Sequence, residues 1–380
     1  MEHTYFDYAA TTPVDPEVLA SMLPWFTSNF GNPSSTHWFG QKAEAAVEDA
    51  RAEIAGIMGC SPTEIFFTSG GSEADNLALR GTALMRKSMY GASRILITPV
   101  EHDAILKTAR QLEKEFGFTV DFIPVHQNGM VNLDKLELML SSNVALVSSI
   151  YGNNEIGTIN PINNIAHLCK LKGIPFHTDA VQAMGYCTVT TADGCDMLSA
   201  GAHKFYGPKG VGFLYKRKGL ELLPTQTGGA QEKNLRAGTQ NVPYIVGMAT
   251  ALKLSRKHFT DHQVHFMGLR DEVIRQVMST IPYASLTGDP VSRLSNHASF
   301  LLPGVDGNRL VMALDMAGFC VSSGSACKTG NPEPSTVLLA LGYSPADARS
   351  SLRITVGRAT TKEDVFQVTQ AIYKCIGKIQ

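Results

Sequence analysis

Along the first 250 residues, stretches with apolar positions at helical spacing alternate with short apolar runs that end in glycine or polar turns. Between residues 39 and 58, Ala43, Ala46, Val47, Ala50, Ile54 and Ile57 recur every three or four positions, which predicts one amphipathic helix stopped by Gly59. Upstream, Asp15, Pro16 and Glu17 have the character of a helix start: a capping side chain, a proline in the first turn and an acid at the positive end of the helix dipole. "EIFFTSGGSEADNLALRGTAL" then reads as strand, glycine turn and helix. The same order returns in "SRILITPVEHDAILKTARQLEKEFG" and in "VALVSSIYGNNEIGTINPINNIAHLCKLKG". "IPFHTDAVQAMG" and "DMLSAGAHKFYGPKGVGFLYKR" add more strands, the last pair in a hairpin-like arrangement. This alternation predicts an α/β fold with a parallel or mixed sheet covered by helices on both faces. In such sheets ligands gather beyond the carboxyl ends of the strands. That places candidate chemistry at residues 69–72, His102, Asn153, Asn154, Asp179, His203 and Lys204.

From about residue 255 the pattern changes. "SRKHFTDHQVHFMGLRDEVIRQVMSTI" predicts one long amphipathic helix, followed by the short strands "ASFLLPG" and "GFCVSS", a helix over 308–316 and a C-terminal helix. A domain boundary is expected near residue 256, and the chain has no internal repeat or low-complexity tract.

With 380 residues, 44% of them hydrophobic, the chain is long enough to bury two cores. Its formal net charge of -1, without a run of like charges, gives no electrostatic footprint for nucleic acid. The start "MEHTYFDYAATTP" lacks the basic and apolar stretches of a signal peptide, and no apolar run is long enough for a membrane span, so a cytoplasmic protein is expected. There are 7 cysteines, an odd number, and none is paired as C-x-x-C, which fits a reducing compartment and argues against a disulfide framework. Cys320 reads as part of a strand, and most of the cysteines suit buried small hydrophobes. Cys327 does not: it lies in "SSGSACKTGNPEPS", where no core strand or long helix fits.

Several residues carry candidate chemistry. The turn "TSGGSEADN" brings glycines, the Ser72 hydroxyl and helix N-terminal amides together, which suits a phosphate; a plain turn is the competing reading. Neither dinucleotide nor P-loop glycine patterns occur, so nucleotide binding is disfavoured. Asp179 ends an apolar strand, where a carboxylate needs a cationic partner; a pyridinium nitrogen is one, and a salt bridge or helix cap answers equally well. Lys204 lies between two apolar strands, where burial lowers an amine's pKa and suits carbonyl chemistry, whereas Lys209 reads as a surface turn residue. An anion turn, a strand-tip acid and a strand-end lysine together match the needs of pyridoxal phosphate. His102 follows a strand, where its ring could lie against a bound pyridine; a structural histidine is the competing reading, and only the company of Asp179 and Lys204 favours the first. Arg353, inside an apolar strand, needs an anionic partner: a substrate carboxylate or a structural acid.

Over nearly its whole length the chain resembles the cysteine desulfurases of the NifS/IscS type, within the class V aminotransferases. The resemblance rests on "DYAATTPVDPEV", "FGNPSSTH", "TSGGSEADNLAL", "EHDAIL", "NNEIG", "HTDAVQ", "AHKFYGPKGVG", "RAGTQNV", "SSGSACKTGNPEPS" and "SSLRITVGR". It implies the fold type I of pyridoxal phosphate enzymes, with an N-terminal segment (1–14), a large cofactor domain (15–255) and a small α/β domain (256–380) carrying the Cys327 loop. It also implies roles. Lys204 carries the cofactor, His102 stacks on the ring, Asp179 pairs with the ring nitrogen and Gln182 meets the ring hydroxyl. Gly71, Ser72 and His203 hold the phosphate, with Thr239 reaching it from the second subunit of a homodimer. Asn154 and Arg353 hold the substrate carboxylate. Cys327 is the nucleophile that takes sulfur from L-cysteine, leaving alanine, and passes it to an acceptor or iron–sulfur scaffold protein. The serines and glycines around Cys327 would give it reach. The sequence departs from the family at Gly201, where a hydroxyl residue is common, at Gly152, and at Lys328 after the nucleophile. A selenocysteine lyase or other β-lyase shares the cofactor residues, and a non-catalytic sulfur scaffold partner is the alternative without catalysis.

Overall fold

The structure is a computed structural model and describes residues 3–324 and 333–379. The elements run in chain order as β1 (Thr4–Tyr5), α1 (Pro16–Met22), α2 (Trp38–Met58), β2 (Ile65–Thr68), α3 (Gly71–Tyr90), β3 (Arg94–Ile97), α4 (Asp103–Phe116) and β4 (Thr119–Phe122). Next come α5 (Leu133–Met139), β5 (Val144–Ile150), α6 (Ile162–Leu171), β6 (Phe176–Asp179), β7 (Met197–Gly201), β8 (Gly212–Lys216), α7 (Val242–Lys257) and α8 (Phe259–Thr280). The chain continues through β9 (Ser285–Leu286), β10 (His297–Leu301), α9 (Gly307–Met316), β11 (Phe319–Cys320), α10 (Thr336–Ala340), α11 (Pro345–Arg349), β12 (Ser351–Thr355) and α12 (Lys362–Ile379).

Seven strands form the central sheet in the order β2-β8-β7-β6-β5-β3-β4, all parallel except β8, which runs antiparallel to both neighbours. Successive side chains of a strand point to opposite faces, and each face has its own cover. Phe67, Leu96, Val147, Phe176, Leu198 and Phe213 meet α2, α6 and α7. Phe66, Ile95, Ile97, Leu146, Met197 and Leu214 meet α3 and α4. Two-sided burial explains why these strands read as continuous apolar runs.

A separate core gathers the apolar residues of α8, β10, α9, β12 and α12, and takes in Phe6 and Tyr186 from elsewhere. There the single helix expected from residue 255 is two helices. α7 ends at Lys257, His258 leaves helical geometry at φ -106° and ψ 17°, and α8 starts at Phe259. The reason is packing: Met248, Leu252 and Leu254 of α7 belong to the core under the central sheet, while Phe266, Leu269, Val273 and Val277 of α8 belong to the second core. One straight helix cannot turn its apolar stripe toward both.

β2 is an edge strand, and an open edge exposes unpaired backbone groups. Two side chains close it. The Arg51 guanidinium donates to the Ile65 carbonyl and forms a two-pronged ion pair with Glu232, at 2.8 and 2.9 Å. Glu232 also accepts the Phe67 amide at 2.9 Å, and Arg51 lies over the Phe67 ring. Removing one partner leaves a buried charge unanswered. Arg51→Ala is therefore expected to lower unfolding free energy by about 3–5 kcal/mol, read from chemical denaturation.

Candidate functional site

The carboxyl ends of β2, β5, β6 and β7 open onto a cavity of about 180 Å³ lined by Gly71, Ser72, Asp75, His102, Ile150, Asn154, Asp179, Val181, Gln182, His203 and Lys204. A larger cleft of about 750 Å³ lies at the other end of the strands, against residues that precede β6 and β7 and follow β8. It holds no comparable set of reactive groups. Among the described residues, no group of three or more His, Cys, Asp and Glu is placed to hold a metal ion.

The anion turn forms because β2 stops at Thr68 and α3 starts at Gly71. Gly70 has φ 156°, a conformation that suits glycine. A Cβ on Gly71 would stand 2.4 Å from the Val181 side chain, and one on Gly201 would stand 3.3 Å from the Gly71 amide. The turn is thus pressed against the ends of β6 and β7, which accounts for glycine at 201. As first-turn amides, those of Gly71, Ser72 and Glu73 have no carbonyl one turn back, and they sit at the positive end of a 20-residue helix.

Asp179 closes β6, is 4% exposed, and accepts the Val181 amide at 2.9 Å. Burial raises its pKa, while His102 and Lys204 pull it back. Behind it lies a polar layer that sequence reasoning missed. Asp75 is 1% exposed, and its Oδ1 has no hydrogen-bond partner. Burial and the neighbouring Asp179 push the Asp75 carboxyl well above its usual range. His177 is fully buried between the Ser148 and Ser199 hydroxyls, each 2.9 Å from a ring nitrogen, and burial lowers its pKa to about 3. Glu101 accepts the Ile150 amide at 2.8 Å and the Thr98 hydroxyl at 2.6 Å, and burial lifts it to about 8. One signal was available: Asp75 falls on the otherwise apolar face of α3 with Ala74, Leu77 and Ala78.

His102 caps α4, its Nδ1 accepting the Ala104 amide at 3.1 Å, which leaves Nε2 to carry the proton of the neutral ring. Lys204 follows β7, and its ammonium donates to the Ala9 and Ala10 carbonyls at 2.5 and 2.7 Å. Burial, helped by Arg353, lowers its pKa to about 8. The N-terminal segment thus lies on the site. Gln182 also donates to the Ala9 carbonyl, at 2.7 Å, and Thr12 donates to the His203 carbonyl. Burial and Lys204 hold His203 at about 4, so its ring is neutral near pH 7.

Arg353 stands just behind the cavity. Its Nη1 donates to the Asn154 carbonyl at 2.9 Å, its Nη2 pairs with Asp7 at 2.7 Å, and its Nε has no partner. The structural acid weighed against a substrate carboxylate therefore exists, and it is Asp7. Thr239 is exposed on the loop before α7 and lines no part of the cavity in its own chain. Cys327 lies outside the described residues. The flanking Gly324 donates its amide to the Ser351 hydroxyl, and Ser335 donates its hydroxyl to Glu155, whose carboxyl burial lifts to about 7.

An aldehyde reacts with a neutral amine, so the Lys204 titration has a visible consequence. In protein free of any bound carbonyl compound, labelling of Lys204 by a small aldehyde and hydride reagent, followed by mass spectrometry, should climb as pH rises through about 8. The unfolded chain should show the same climb only near about 10.4.

The chain matches the aminotransferase class-V family over residues 4–368. It is 44% identical over 378 residues to the cysteine desulfurase IscS of Clostridium botulinum, covering 99% of this chain and 94% of that protein. It is 42% identical over 377 residues to the cysteine desulfurase IscS of Dictyoglomus turgidum, covering 99% and 95%. Among solved structures, a NifS-like protein superposes with a TM-score of 0.92 at 35% identity, covering 99% of this chain and 100% of the other. A matched family model, full-length relatives and a shared fold agree with the geometry of the cavity: the chain belongs to the aminotransferase class-V family, among its cysteine desulfurase members.

Proposed function

We propose that this chain is a cysteine desulfurase that uses pyridoxal 5'-phosphate to convert L-cysteine to L-alanine and carries the released sulfur as a persulfide on Cys327. The observation that carries this reading is the convergence of Lys204, Asp179, His102 and the amide-rich turn at Gly71 and Ser72 on one cavity. These groups fit the cofactor. The turn offers unused amides to a phosphate, Asp179 offers a buried carboxylate to a ring nitrogen, and Lys204 offers an amine whose pKa of about 8 leaves a fraction neutral near pH 7. Bound there, the cofactor supplies an electron sink for a carbanion at the substrate's Cα.

The chain's own residues do the rest. Gly71, Ser72 and His203 would hold the phosphate, joined in a homodimer by Thr239 from the second subunit. Gln182 would meet the ring hydroxyl and His102 would stack on the ring, both from the lining of the cavity. The Arg353 guanidinium and the Asn154 side chain hold the substrate carboxylate, which fixes the direction of the Cα–H bond. The Lys204 amine would take that proton and return one. The Cys327 thiolate then attacks the substrate sulfur, and the alanine carbon skeleton leaves with the bonding pair. The persulfide passes to an acceptor protein for iron–sulfur cluster assembly, thio-cofactor synthesis or tRNA thiolation. The division into segment 1–14, cofactor domain 15–255 and small domain 256–380 agrees with two separate cores and with the Asp7–Arg353 pair that holds the first segment to β12. A cytoplasmic location belongs to the same reading, and no helix among the described residues is long and apolar enough to cross a membrane.

Purified protein should be yellow and should form alanine and persulfide from cysteine in equal amounts. With a thiol reductant present to free the persulfide sulfur as sulfide, Cys327→Ala should lower sulfide release by more than about a hundredfold while keeping the colour; full activity in that variant would rule out Cys327 as nucleophile. Lys204→Ala should lose the holoenzyme's yellow absorbance, and an unchanged spectrum would remove Lys204 from the cofactor site. Faster turnover of selenocysteine than cysteine, independent of Cys327, would instead identify a lyase.

A further inference from the structure

The loop before α7 grips the anion turn through charges that none of the roles above employs. Its residues Glu232, Lys233 and Asn234 hold left-handed backbone in succession, with φ of 44°, 55° and 66°. Residues with side chains adopt that conformation at a cost, so the surroundings must hold it. The Arg51–Glu232 pair fixes one end on the edge of β2, and Gln240 returns to donate to the Glu232 carboxylate at 2.6 Å. Between these anchors, Arg236 extends to α3. Its Nε meets the Glu73 Oε1 at 2.8 Å, and its Nη2 meets Oε2 at 3.4 Å. The Glu73 Oε2 accepts the Ser69 amide at 2.8 Å, the first amide of the anion turn. The two side chains are about equally shielded, at 20% and 19% exposure. Burial alone would raise the Glu73 carboxyl, but bonds from Arg236 and Ser69 outweigh it and hold the group ionised.

Glu73 therefore occupies the positive end of α3, where the phosphate is also expected. Two anions at one helix end oppose each other unless one is neutralised. We propose that Glu73 and Arg236 are positioning residues for the cofactor phosphate: Glu73 sets the shape of the 69–72 turn through the Ser69 amide, and Arg236 cancels the Glu73 charge. The inference rests on the cavity being the pyridoxal phosphate site. It gives the strained loop a task, which is to present Arg236 to the turn at a fixed distance.

The test titrates cofactor-free protein with pyridoxal phosphate and, separately, with pyridoxal, which has the aldehyde and ring but no phosphate. Visible absorbance reports binding. Arg236→Ala should weaken pyridoxal phosphate by about tenfold or more, because it leaves Glu73 as an unanswered anion, and should leave pyridoxal unchanged. Adding Glu73→Gln to that variant should restore most of the loss, since glutamine still accepts the Ser69 amide without a charge. Glu73→Ala gives an independent arm: it should weaken only the phosphorylated ligand, because the turn loses its acceptor. Equal weakening of both ligands, or a double variant no better than Arg236→Ala alone, would overturn the proposal. Wild-type protein that binds neither ligand would instead overturn the cofactor reading.

Discussion

Charge removed from water at the carboxyl end of the central sheet is the constraint on which the rest of this structure depends. Asp179, Asp75, Glu101 and His177 are all nearly or fully buried within one layer, and a buried ionisable group must be neutral, paired or hydrogen-bonded. The protein uses each of these answers. Ser148 and Ser199 satisfy a neutral His177, Glu101 is drawn toward its protonated form, and Asp179 faces Lys204 and His102 across the cavity. Burial raises the acids and lowers the Lys204 amine, so desolvation draws their titrations toward one another.

That layer is held from two sides. Below it, both faces of the sheet are packed by helices, so the strand tips have little freedom. Above it, the N-terminal segment crosses the site, giving the Ala9 and Ala10 carbonyls to Lys204 and Gln182 and the Asp7 carboxylate to Arg353. Arg353 belongs to β12 in the second core. From β12, a single guanidinium therefore reaches both the N-terminal segment and the Asn154 loop after β5, so a change in either partner is felt by the strand that carries it.

The edge of β2 shows the same economy. Arg51 and Glu232 close an exposed ladder of backbone groups, and the segment they anchor continues to the turn at the end of that strand. Protection of an edge and support of a strained loop are both served by that one ion pair.

The strand–turn–helix alternation was legible in the chain because two-sided burial writes strands as apolar runs and caps write the helix starts. Lys204, Asp179, His102 and the glycine turn were legible for a related reason: each ends or follows a strand, and sequence order alone places strand ends at the ligand edge of an α/β sheet. The break at His258 was not legible, since a helix-compatible sequence does not reveal that its halves pack on different cores. Nor were His177, Glu101 or the Asp7–Arg353 pair, and Asp75 left only its place on an otherwise apolar helix face. Their meaning depends on groups far apart in the chain that only the folded sheet brings within hydrogen-bonding distance. By itself the sequence determined the fold class and which residue types stand at the strand ends, because both follow from local periodicity. The tertiary structure decided their protonation and their partners, because desolvation and charge pairing are set by what surrounds a group in space.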